Sequence, residues 1–165
     1  MTATEAIALI KPGINAATPQ SWADLGCGSG TFTIALNSIL PAGSYLAAVD
    51  KQQQTLPVDF IRANFETDDL PLKDLDGIVM ANSLHYIRDK QELIKKLETY
   101  FSGSPTFLIV EYDTSRSNTW VPYPIPFNNL KTMFNDLGYH NINKLAEHRS
   151  IYNSAKIYAA LIEKK

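Results

Sequence analysis

Apolar positions along this chain change their spacing several times, and each change marks an element. "SWADLG" reads as a first strand. From roughly Gly30 to Leu40 the apolar residues Phe32, Ile34, Ala35 and Ile39 fall near helical spacing, and Pro41 and Gly43 stop that helix. "SYLAAVD" reads as a second strand ending at Asp50, "PVDFIRANF" as a third, and "LDGIVMANS" as a fourth. The nearly continuous apolar middle of the fourth is what a strand covered on both faces requires. "DKQELIKKLETYF" carries an apolar stripe of Leu93, Ile94 and Leu97 behind Asp89 as the predicted N-cap, and "PTFLIVEYD" follows as the fifth strand. A proline-rich loop then leads to a helix around Asn128 to Leu137, closed by Gly138. The runs "NINKLAEHRSIY" and "AKIYAALIEK" have no helix between them, which predicts an antiparallel hairpin at one edge. Strands alternating with helices predict an α/β fold around a largely parallel sheet.

Length and composition narrow the function. At 165 residues the chain has the size of one domain, and 45% hydrophobic with 19% charged residues is ordinary for a soluble globular protein. Fifteen basic and 17 acidic residues give a net charge of -2, and the one basic cluster is Lys95 and Lys96, so a nucleic-acid partner is not expected. A lone cysteine, Cys27, forms no internal disulfide and points to a reducing compartment. "MTATEAIALIKPG" lacks a basic region before an apolar run too short for a leader or a membrane span, so a cytoplasmic location without a membrane partner is expected. Three scattered histidines and one cysteine offer no metal-ligand spacing.

The chemistry concentrates in "WADLGCGSGTF", where a strand runs through Gly26, Cys27, Gly28, Ser29 and Gly30 into a helix. Such a turn presents backbone N–H groups to a ligand at the carboxyl edge of the sheet. A P-loop needs Lys before the Thr, and none is present; a dinucleotide fingerprint needs a third glycine where Thr31 stands. S-adenosylmethionine is the remaining ligand class.

"ADLGCGSG" resembles the opening signature of the class I S-adenosylmethionine-dependent methyltransferases, closest to the small-molecule branch called methyltransferase type 11. The resemblance covers nearly the whole chain and implies a Rossmann-like doubly wound sheet. It implies S-adenosylmethionine as cofactor, with Asp24, Gly26, Cys27, Gly28 and Gly30 around it and Asp50 on the ribose hydroxyls. "RANFETDDLPL" matches the stretch that reads adenine, placing Asn64 and Phe65 there with Asn64 where the family usually has Asp. "DGIVMANSLHYIRD" matches the segment beside the methyl donor, which places Asn82 there. One departure is large: only "KQQQTLP" separates Asp50 from the third strand, so the helix after the second strand is expected to be truncated or missing. The edge so uncovered is a place for a second subunit, giving a homodimer, or for the N-terminal segment.

Methyl transfer is an in-line displacement, so positioning in a dry pocket is the main requirement, with a general base added for a protonated acceptor. His85 is the candidate base, against a packing role for the same residue. Tyr112 and Asp113 follow the fifth strand and face the same edge, with turn formation as the other reading of Asp113. Trp120, Tyr123 and Phe127 in "TWVPYPIPF", with Tyr86 after the fourth strand, are candidate contacts to the substrate, against simple covering of the core. Cys27 reads as a small packing residue. Two function classes stand: methyl transfer to a small-molecule acceptor, and a non-catalytic binding or assembly module on the same fold.

Overall fold

The computed structural model describes residues 1–151 and 154–165; Tyr152, at the end of the run "NINKLAEHRSIY", lies outside the described residues. Among the described residues, seven strands form one sheet: β1 (Ser21–Leu25), β2 (Tyr45–Asp50), β3 (Asp59–Arg62), β4 (Gly77–Ala81), β5 (Thr106–Tyr112), β6 (Asn141–Arg149) and β7 (Lys156–Glu163). Their order is β3-β2-β1-β4-β5-β7-β6. β1 to β5 are parallel, and β7 runs antiparallel to both β5 and β6, as the hairpin expectation required. The chain winds outward from β1 to β3 and then returns to β4 on the other side of β1. A crevice therefore opens at the carboxyl ends of β1 and β4, where the winding direction reverses.

Four helices cover the faces: α1 (Ala3–Ile10), α2 (Thr31–Ile39), α3 (Lys90–Glu98) and α4 (Phe127–Asp136). The pleat sends Ile78 and Met80 of β4 toward α3 and α4, where they meet Ile94, Leu97 and Phe134; Val79 goes to the other face, among Leu9, Phe32 and Leu36. α1 is opened by a capping box in which the Thr2 hydroxyl accepts from the Glu5 amide and the Glu5 carboxylate accepts from the Thr2 amide. It lies against α2 and β6. The N-terminal segment thus covers the end of the sheet opposite β3 and leaves the β3 edge to other cover.

Two helix expectations are corrected. Ile34 is 45% exposed, because Phe32, Ala35, Leu36 and Ile39 share one stripe and Ile34 projects about 200° away from Phe32. Asp89 occupies the cap position of α3 but its side chain makes no cap bond; its ψ of 69° departs from the extended conformation that turns an N-cap side chain back on the first turn.

No helix joins β2 to β3. Residues 51–58 cross as an irregular segment, neither helix nor strand, with Gln54, Leu56 and Val58 half-buried and their odd-numbered neighbours exposed. Eight residues, fully extended, reach at most about 27 Å, enough to return along a short strand and step to the next. Alternate side chains of this segment take the place of a helical face, and Leu56 packs over Gly30 at the start of α2.

Candidate functional site

The loop after β1 is held down by both neighbouring strands. The amides of Gly26 and Cys27 donate to the Val49 carbonyl at 2.8 and 3.1 Å, which hooks the loop over the end of β2. On the other side the Ser83 hydroxyl donates to the Leu25 carbonyl at 2.7 Å. A Cβ on Gly26 would lie 2.5 Å from the Ser83 Cβ, and its φ of 76° is left-handed, so glycine is needed there for close approach as well as for the turn. Gly28 is different. Its φ is 52°, but nothing lies within 4 Å of where its Cβ would stand, so its open side faces a space rather than the protein.

That space is a cavity of about 660 Å³ at the carboxyl ends of β1, β2 and β4. Asp24 lies in its wall, 1% exposed. One carboxyl oxygen accepts from the Thr33 hydroxyl at 2.6 Å, and the other, Oδ1, has no partner among the described residues. Burial pushes the Asp24 carboxyl up to about 7; the Thr33 hydrogen bond opposes the rise and the Asp50 charge adds to it. Across the crevice, Asn82 holds a left-handed φ of 54° and its buried Oδ1 is likewise unpartnered. Two buried oxygens without donors, both on residues that line this cavity, leave a place for a group rich in N–H.

Asp50 closes β2 with both carboxylate oxygens in use, Oδ2 accepting from the Gly28 amide and Oδ1 from the Gln52 amide, each at 2.9 Å. Each oxygen keeps a second lone pair for a ligand. Beyond it, Asn64 and Phe65 line the far wall; the Asn64 side-chain oxygen accepts from the Glu66 amide at 3.0 Å. The Cys27 thiol, buried in the same loop, is pushed up to about 12 by burial and then by the charges of Asp24 and Asp50, so it is no nucleophile at neutral pH.

The sequence matches a family described as methyltransferase domain over residues 4–164. The chain belongs to this methyltransferase family. An uncharacterized methyltransferase of Mycobacterium bovis is 28% identical over 109 residues, 59% of this chain and 54% of that protein, so the chain spans about half the length of the curated relatives it matches. The solved 1,6-didemethyltoxoflavin-N1-methyltransferase of Burkholderia thailandensis, holding 1,6-didemethyltoxoflavin and S-adenosylhomocysteine, superposes with a TM-score of 0.73 at 14% identity, over 99% of this chain and 78% of that one. A methyltransferase dependent on S-adenosylmethionine from Archaeoglobus fulgidus gives 0.74 at 16% identity, over 99% and 95%. The fold is that of the class I S-adenosylmethionine-dependent methyltransferases.

The residues present in this methyltransferase fit that cofactor. The orphaned oxygens of Asp24 and Asn82 suit an ammonium group, the open side of Gly28 admits a ligand against the backbone, and Asp50 has acceptor capacity for hydroxyls. Asp50→Ala is expected to cost about 1–3 kcal/mol of S-adenosylhomocysteine affinity by calorimetry. Unchanged affinity would place the ribose elsewhere.

The residues predicted around the methyltransferase cavity divide into two groups. Asp24, Gly26, Cys27, Gly28, Asp50, Asn64, Phe65, Asn82 and Tyr86 all line it, whereas Gly30 sits just behind, under Leu56. His85, Tyr112, Asp113, Trp120 and Tyr123 do not line it. His85 is 2% exposed, with Nδ1 at 2.7 Å from Glu111 Oε2 and its amide donating to Glu111 Oε1 at 3.0 Å, so Glu111 ties both its backbone and one ring nitrogen to β5. The Tyr112 ring lies 6.1 Å from that of His85. Asp113 accepts from the Phe127 amide at 2.9 Å and so ties the chain after β5 to the first residue of α4, a bond across 14 residues rather than the local turn weighed for it. Trp120, 77% exposed, and Tyr123 stand outside the cavity on a loop whose Tyr123 amide donates to the His85 carbonyl at 2.9 Å. Sequence reasoning missed Glu111, hidden in the apolar run of β5, and Gln52 and Gln54, which form one bank of the cavity. The only signal for the glutamines was the shortness of their linker.

Proposed function

We propose that this methyltransferase domain acts as a single unit that moves a methyl group from S-adenosylmethionine to a small-molecule acceptor. The observation that carries the reading is the pair of buried, unpartnered oxygens of Asp24 and Asn82 in the cavity onto which the open side of Gly28 faces. A sulfonium-bound methyl is the electrophile that the cofactor supplies when bound. Asp24 and Asn82 hold the amino-acid end, Asp50 the ribose, and Asn64 with Phe65 the base. Tyr86, 54% exposed at the cavity, faces the acceptor, and Trp120 and Tyr123 form its outer rim. His85 has no part in this scheme, since it does not line the cavity; rate comes from alignment and exclusion of water. The Burkholderia thailandensis relative, whose acceptor is a small heterocycle, supports a small acceptor here. Among the described residues no helix is long and apolar enough to cross a membrane.

Isothermal titration calorimetry tests the reading. S-adenosylhomocysteine is expected to bind with a dissociation constant in the micromolar range, about -8 kcal/mol, while NAD in the same buffer gives no heat. Binding of NAD alone, or of neither, would refute the cofactor assignment.

A further inference from the structure

The basic pair on α3, Lys95 and Lys96, has a divided fate. Lys95 pairs with Glu92 on the exposed face of its own helix, at 3.2 Å. Lys96 is half-buried and reaches across to the 64–68 loop, where its ammonium donates to the Phe65 carbonyl at 2.7 Å and also to the Asp68 carbonyl.

The loop it grips is the far wall of the cavity. Its internal bonds close on Asn64 from both directions: the Thr67 and Asp68 amides donate to the Asn64 carbonyl, the Asn64 amide donates to the Asp68 carboxylate, and the Glu66 amide donates to the Asn64 side-chain oxygen. The Phe65 carbonyl and the Glu66 amide belong to one peptide unit and point opposite ways because that unit is trans. When Lys96 fixes the carbonyl, it also fixes the N–H that holds the Asn64 side chain. The same cation faces a stretch bearing Glu66, Asp68 and Asp69 and offsets part of their mutual repulsion.

We propose that Lys96 is a positioning residue for nucleoside binding: it clamps the Asn64–Asp68 loop from α3, supplying fixity that a crossover helix between β2 and β3 would otherwise lend this side of the cavity. The inference rests on the S-adenosylmethionine reading above. Residues 51–58 give the cavity only an irregular bank of Lys51, Gln52 and Gln54, so the base-binding wall takes its rigidity from the other layer of the fold. Charge-assisted bonds to two carbonyls suit that task better than a neutral contact.

The test uses S-adenosylhomocysteine and 5′-methylthioadenosine, which shares the nucleoside and lacks the amino-acid end. Lys96→Met is expected to weaken both by the same factor, about tenfold, with an unchanged melting temperature, and Lys96→Arg to restore both to within about threefold. Asp24→Asn serves as the contrast, weakening S-adenosylhomocysteine alone. In the unsubstituted protein without ligand, the amides of Glu66, Thr67 and Asp68 are expected to exchange slowly with deuterium. Wild-type affinity for both ligands in Lys96→Met, or fast exchange of those amides, would overturn the clamp. Failure of the unsubstituted protein to bind S-adenosylhomocysteine is a separate result, and it would overturn the cofactor reading and the clamp together.

Discussion

Asp24→Asn is expected to make the protein more stable at pH 8 and about a hundredfold weaker for S-adenosylhomocysteine, a loss near 2.7 kcal/mol. The stability half follows from burial. The Asp24 carboxyl is raised from an ordinary 3.8 to about 7, so between those values the folded state keeps a proton that the unfolded chain has lost. A raised carboxyl gives its full contribution below pH 4 and loses it as pH climbs toward 7. The swing is roughly 4 kcal/mol at 1.36 kcal/mol per unit. Asparagine has no charge to desolvate, and its oxygen still accepts from the Thr33 hydroxyl, so the variant escapes that slope. Its gain at pH 8 shrinks to about 1–3 kcal/mol once the buried NH₂ is left without an acceptor. The binding half has the opposite sign, because an ammonium ligand needs the ionised carboxyl. Wild-type affinity should therefore fall by up to about tenfold per pH unit below 7, while that of Asp24→Asn stays flat. Thermal melts and calorimetry at pH 5, 6, 7 and 8 check both halves, and a wild-type affinity independent of pH would sink the pairing of Asp24 with the ammonium.

Glu111→Ala is expected to destabilise the fold by about 3–5 kcal/mol, lowering the melting temperature on the order of 10 °C. Glu111 is fully buried in β5, and both its oxygens serve His85, one at the amide and one at Nδ1. Truncation leaves two buried polar groups of His85 unpartnered. Glu111→Gln keeps an oxygen for the His85 amide and should cost less than half as much. The damage extends to the rim of the site, because the His85 carbonyl anchors the Tyr123 amide and the His85 ring packs 4.4 Å from Tyr86. A melting temperature within 2 °C of wild type in Glu111→Ala would show that the pair contributes little.

The sheet was legible because the features that build it are local: the period of apolar positions, the prolines and glycines between runs, and the missing length between Asp50 and β3. The glycine loop was legible for a similar reason, since strand, glycines and helix are contiguous. What the sequence hid depends on distant pairings. Glu111 sits among apolar neighbours in β5, and nothing local announces that its partner is His85, 26 residues earlier. Reading His85 as a base started from the residue type and its place after β4, neither of which says which way the side chain turns, and it does not line the cavity. Trp120 and Tyr123 read as substrate contacts because aromatic residues on a proline-stiffened loop suit that role, whereas Val121 and Ile125 of the same loop are buried and neither Trp120 nor Tyr123 lines the cavity. The helix stripe misassigned Ile34 because four apolar residues within eight positions match the helical period loosely even when one faces outward.

The irregular passage from β2 to β3 carries a kinetic consequence. Segments with few buried side chains open at lower free energy than the strands beside them. Lys51, Gln52 and Gln54 belong to such a segment, whereas Asp24 and Asn82 stand at the ends of the two central strands. Dissociation of a ligand spanning both regions should then proceed in two stages, nucleoside first and amino-acid end last. The lifetime of such a complex is expected to depend on both ends, on how often the nucleoside side opens and on how firmly the central strands hold the rest.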